Sequence, residues 1–220
     1  MSDLEREAAA FAVADLGLVI EPAALAAARR SVDESGLLLL GEVHGVMENP
    51  LLIHSLMRAL GLGGLALEWD EDLMPAVSAF LAGERLADHR LLWFGDGRIT
   101  AGHLAVLREL AAAGPLRLGL FDGAINADWD WSARDEAMAR RILAAPPAEG
   151  GTLVVAGNAH TPTVRTDLGL PRQFHRSADS GPRQPRLHEQ DGSLILELPI
   201  ATEAVVPQQP MPWLAGPQPG

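Results

Sequence analysis

Four short apolar runs, separated by helical patterns and each running into acidic residues or a histidine, constrain the fold of this chain more than any other feature. Residues 37–40 (LLLL, closed by Gly41), 64–68 (GLALE), 116–121 (LRLGLF) and 152–156 (TLVVA) have the length and the flanking Gly, Pro or acidic residues of strands. Near-continuous hydrophobicity is what a strand needs when both faces of a parallel sheet are covered. Between the first two runs, Asn49 is placed to cap a helix with Pro50 in its first turn. Ile53, Leu56, Met57 and Leu60 then form an apolar stripe at helical spacing, which completes a βαβ unit. Residues 100–113, stopped by Gly114, predict a helix with Leu104, Leu107 and Ala111 facing inward. Ser132 is expected to cap another, with Met138, Ile142 and Ala145 buried, and residues 22–30 and 72–81 read as further helices. A fifth strand over 193–198 belongs at an edge or antiparallel, because 174–191 is polar and proline-containing and reads as a long loop or irregular hairpin. The expected fold is α/β: a mainly parallel central sheet with helices on both faces.

Right-handed crossovers bring the carboxyl ends of such strands to one edge, where ligands of parallel sheets bind. The first run exits through Gly41-Glu42-Val43-His44-Gly45, the second through Glu68-Trp69-Asp70, the third into Asp122, and the fourth into Gly157-Asn158-Ala159-His160. Taken singly, each of these polar residues could be a helix cap, a loop acid or a satisfied histidine. Four consecutive strand ends of this kind point to a site. Glu42 and His44 are two apart and can share a side while the chain stays extended. A carboxylate beside an imidazole fixes its tautomer and raises its basicity, which suits a general base or a metal ligand. Arg134 precedes Met138 by four residues and Ile142 by eight, on the apolar side of its helix. It therefore points to the sheet edge, or else snorkels at the surface. Glu48, Trp69, Asp122 and Asn158 are the candidate substrate-binding residues. His54, His89, His103, His175 and His188 share no strand end with an acid and read as surface or structural; Trp69 and Trp93 fit a core or pocket wall.

Composition narrows the function. With 220 residues, 48% of them hydrophobic, the expectation is one domain over 1–200 followed by a proline-rich tail over 201–220. Seventeen basic against 29 acidic residues, net −12 with no basic patch, argue against nucleic-acid or anionic-membrane partners. No cysteine is present, which removes disulfides, thiolate metal sites and thiol nucleophiles. The acidic start MSDLEREAAAF does not read as a secretory signal, and no apolar stretch approaches the ~20 residues of a membrane span, so a cytoplasmic protein is expected. The nucleophile elbow, the phosphate loop, the H-E-x-x-H zinc motif and the dinucleotide fingerprint are all absent. Water is the expected nucleophile.

The motifs GEVHGVMENP, GLALEWDEDL, RDEAMARRI and VVAGNAHTP, in this order over about residues 37–162, resemble those of the erythromycin esterase/ChaN/TraB/TIKI superfamily. The Glu42-Val43-His44 spacing is most similar to the ChaN group, and Gly41 with His44 also matches the Gly-x-x-His of the TIKI and TraB proteases. The resemblance implies an EreA/ChaN-like fold with Glu42, His44, Glu68 and His160 as the active-site set and Arg134 as a supporting cation. Relative to those families, the chain lacks room for the helical insertion that encloses a macrolide. It also has neither the iron-ligating tyrosine nor the lipid-anchoring cysteine of ChaN, so haem uptake is not expected.

Together these readings describe a hydrolase of a small-molecule or peptide ester or amide. His44 activates water, Glu42 or Glu68 orients it, and His160 with Arg134 stabilises the oxyanion or positions the substrate. In a metal-dependent variant, His44, Glu68 and His160 hold one divalent ion. The alternatives are a non-catalytic ligand- or peptide-binding domain of the same fold, and a structural protein that docks through the proline-rich tail.

Overall fold

In the computed structural model, residues 2–93, 95–123, 131–157, 160, 186–190 and 193–197 are described, those at 131–133, 186, 188–190 and 193–197 by backbone alone. The elements are α1 (Asp3–Ala10), β1 (Val19–Ile20), α2 (Pro22–Ser35), β2 (Leu37–Glu42), α3 (Asn49–Leu60), β3 (Gly64–Asp70), α4 (Met74–Leu81), α5 (Ala101–Ala113), β4 (Arg117–Asp122), α6 (Trp131–Ala144), β5 (Thr152–Gly157), β6 (Arg186–Gln190) and β7 (Ser193–Glu197). The chain is α/β: β2, β5, β3 and β4, in that order, form an all-parallel sheet.

The order explains where the helices lie. From β2 to β3 to β4 the chain advances across the sheet, and right-handed crossovers put α3 and α5 on one face. From β4 it turns back to insert β5 between β2 and β3, which sends α6 to the other face. Side-chain alternation agrees. Leu65, Leu67, Leu153 and Val155 join Leu52, Ile53, Leu56, Val77, Phe80, Leu104 and Leu107 in the larger core. Ala66, Val154, Ala156 and Phe121 pack instead on Met138 and Ile142 of α6. Connections leave β3 and β4 toward opposite faces, which makes their carboxyl ends the switch point of the sheet.

Several elements depart from the sequence reading. Asn49 is the first residue of α3 rather than its cap; no side chain caps that end. α6 begins at Trp131, so Ser132 is inside it, and Ala145 lies beyond its last residue, exposed. β7 is antiparallel, but its partner is β6, within the stretch read as loop, and β6 pairs with β1 in a separate three-stranded sheet. The tail at 201–220 lies outside the described residues.

Candidate functional site

The four strand ends of the main sheet bring Glu42, Glu68, Asp122 and His160 to one edge. Glu68 sits where β3 bulges: its ladder with β4 passes from Leu67↔Leu120 directly to Asp70↔Asp122, an extra residue that re-aims the side chains there. Glu68 is buried. Its Oε2 accepts the Gly157 N–H at 2.6 Å, and its Oε1 faces Arg134 Nη2 at 2.7 Å and Arg98 Nη1 at 3.3 Å. Asp122, fully buried, accepts from Arg134 Nη2 (2.7 Å) and Nε (3.2 Å) and from Arg98 Nη1 (3.0 Å). Arg98 belongs to the segment between α4 and α5, on one face of the sheet, and Arg134 to the first turn of α6, on the other. Two buried carboxylates are thus clasped between guanidiniums from both faces, the arrangement that makes buried charge tolerable. Burial alone would depress Arg134; the hydrogen bond and charge of Asp122, and then Glu68, outweigh it and hold the guanidinium above its ordinary pKa.

Arg98 arrives through a turn that the sequence reading did not single out. Asp96 accepts from the Arg98 backbone N–H (3.0 Å) and from its Nε (2.5 Å), an Asx-type turn. Gly97, at φ 84°, lies so close to Gly45 that a Cβ would sit 2.5 Å from the Gly45 N and Cα, and Gly45 N–H donates to the Gly97 carbonyl. This backbone contact sets Asp96 Oδ2 3.7 Å from His44 Nδ1. Trp69 is a core residue rather than a ligand wall, and its Nε1 donates to the Arg98 carbonyl at 2.9 Å.

His44 is the other half of the edge. Its Nε2 is buried, makes no hydrogen bond among the described residues, and faces Glu42 Oε1 at 3.7 Å. Gly157 lies beside it, where a Cβ would come 3.2 Å from His44 Nε2 and 3.3 Å from Glu68 Oε2. His44 and Glu68 therefore approach one another across a missing side chain. Glu42 Oε2 accepts from Asn49 Nδ2 at 3.2 Å and lies 3.9 Å from Nε2 of the buried His103. His103 stacks edge-on against Trp69 and reaches Thr100 Oγ1, so it borders the site despite its distance in sequence from any strand end.

His160 lies at this edge between Arg134 and Asp135. Arginine only donates, so the 2.7 Å contact with Arg134 Nη1 makes His160 Nε2 the acceptor and puts the proton on Nδ1, which donates to Asp135 Oδ1 at 2.6 Å. His160 thus holds Arg134 and does not offer a donor to an oxyanion. Nor do His44, Glu68 and His160 form a metal site. The Glu68 oxygens face guanidiniums and an amide, both His160 nitrogens are engaged, and among the described residues no group of three or more His, Asp or Glu side chains is set to hold a metal ion. Asp122 is sealed in its ion pairs rather than presented to a ligand. Glu48, half-buried before α3, makes no capping bond, while Asn158, His175 and the His188 side chain lie outside the described residues. His54 is buried in α3.

No protein family matches the chain, and no curated protein does. Among solved structures it is similar to one described as "Bacterial protein toxins", at 24% identity and a TM-score of 0.45, over 76% of this chain and 36% of that one. A second, "Crystal structure of bacterial protein toxins", is similar at 22% identity and a TM-score of 0.46, over 79% and 39%. The chain thus spans well under half the length of either.

Proposed function

We propose that the chain is a hydrolase in which His44 removes a proton from water for attack on a neutral ester or amide carbonyl. The observation that carries this reading is the buried His44 Nε2, without a hydrogen-bond partner among the described residues, facing Glu42 Oε1, with Asp96 opposite Nδ1. An imidazole with a carboxylate beside each nitrogen, and with no hydrogen bond to Nε2 among the described residues, has the groups a general base needs. Water held by Nε2 and Glu42 Oε1 gives up its proton to Nε2 as its oxygen bonds to the carbonyl carbon; the imidazolium then returns the proton to the leaving oxygen or nitrogen. Arg98 and Arg134 pair with Glu68, Asp96 and Asp122, and Glu42 adds a fourth carboxylate beside His44, so the edge favours an uncharged scissile group over an anionic one. The four ordered motifs similar to the erythromycin esterase/ChaN/TraB/TIKI superfamily support the same chemistry, and a donor set turned toward arginines supports its metal-independent form.

Among the described residues no helix is long and apolar enough to cross a membrane. A cytoplasmic site of action is part of the proposal.

A non-catalytic binding domain is the second reading, favoured by the mutual saturation of Glu68, Asp122, Arg98 and Arg134. A turnover screen of small esters, amides and short peptides, run with chelator and with added Zn²⁺, Mn²⁺ or Co²⁺, separates the two. Chelator-insensitive hydrolysis is the expected result. A ligand bound tightly and left intact in every arm would make the chain a binding domain.

A further inference from the structure

We infer that Asn49 is a positioning residue that aims Glu42 at His44, an inference that rests on the proposed role of that pair. Asn49 follows the cap position of α3, which Glu48 occupies without a side-chain bond. It is buried at the start of α3, where no side-chain cap exists, and its Nδ2 turns back to donate to Glu42 Oε2 at 3.2 Å and to the Val43 carbonyl at 2.8 Å. One amide group thus ties the carboxylate to the backbone of the residue between Glu42 and His44. With Oε2 held, Oε1 is the oxygen left facing His44 Nε2.

The charged groups around the pair come from three other segments: Asp96 beside His44 Nδ1, with Arg98 on that turn; His103 of α5 beside Glu42 Oε2; and Glu68 of β3 across Gly157. None of them hydrogen-bonds to Glu42 among the bonds of the described residues, so the clamp is Asn49's.

The test is an NMR titration of the His44 imidazole, identified among the seven histidines by its loss in His44→Gln. It needs no substrate, so it stands or falls apart from the hydrolase reading. An aimed carboxylate favours the imidazolium, so Glu42→Gln should lower the His44 titration midpoint. Asn49→Ala should lower it in the same direction and by a comparable amount, and the double variant should add little more. Asn49→Ser, which keeps a small polar side chain at the start of α3 while its hydroxyl falls short of Glu42, should keep the fold and still lower the midpoint. A midpoint that moves in Glu42→Gln and stays at the wild-type value in both Asn49 variants would reduce Asn49 to a helix-start residue. A midpoint indifferent to Glu42→Gln would remove the pair that Asn49 is said to aim.

Discussion

At Gly157 the lack of a side chain decides how closely a histidine and a glutamate approach. A methyl group there would stand 3.2 to 3.4 Å from His44 and Glu68 atoms, so one of them must retreat by a few tenths of an ångström. Misplacement by 1 Å costs about 10²-fold in rate, so Gly157→Ala should slow turnover by roughly threefold to tenfold. Its unfolding temperature should hardly change. An unaltered kcat would show that the two side chains do not work together. Residues of this kind were legible in unequal degree. Glu42, Glu68, Asp122 and His160 were found because strand exits of a parallel sheet must share an edge, and Arg134 because its helical phase faced inward. Asp96 and Arg98 were not, since their place depends on the Gly45–Gly97 backbone contact, and nothing local in GDGR encodes a distant docking partner. The contact of His160 with Arg134 was not legible for a similar reason: only the folded chain brings Arg134 against Nε2.

The element that closes the site is α6. Met138 and Ile142 bury its apolar side on one face of the sheet, while Arg134 in its first turn bonds to Asp122, Glu68 and His160. Removing one partner of a buried, hydrogen-bonded ion pair costs about 3–5 kcal/mol, because the remaining charges stay buried without compensation. Arg134→Met should lose stability on that order in urea unfolding. Arg140→Met, which breaks only the exposed pair with Glu136 on the same helix, should change it by less than about 1 kcal/mol. Equal effects would mean that the clasp contributes no more than a surface ion pair. The main-sheet strands and most helices were readable from apolar runs and 3.6-residue stripes. β1 and β6 were not: a two-residue strand carries no period, and β6 lies in a polar segment whose pairing comes from β1 and β7.

For the molecule as a whole, acid should be destabilising in part through His54. Its pKa lies below 6.5, first because burial disfavours the imidazolium and then because Arg58 is near, with Glu109 and Asp15 opposing. The unfolded chain takes up this proton near 6.5, whereas the folded chain resists until a lower pH. The contribution is therefore present above 6.5 and is lost as pH falls through the folded value. Between pH 7 and 5 the unfolding temperature should drop, and less steeply in His54→Gln; parallel curves would assign the loss to other groups. The hydrolase reading rests on His44, whose buried Nε2, without a hydrogen bond among the described residues, lies where strand exits, an inward-facing arginine and a glycine-locked turn meet. It is tested most directly by comparing kcat/KM of His44→Ala with that of the wild type on a substrate from the screen, in chelator. The prediction is a loss of about 10²- to 10⁴-fold with the unfolding temperature preserved; an equal kcat/KM in the two proteins would contradict it.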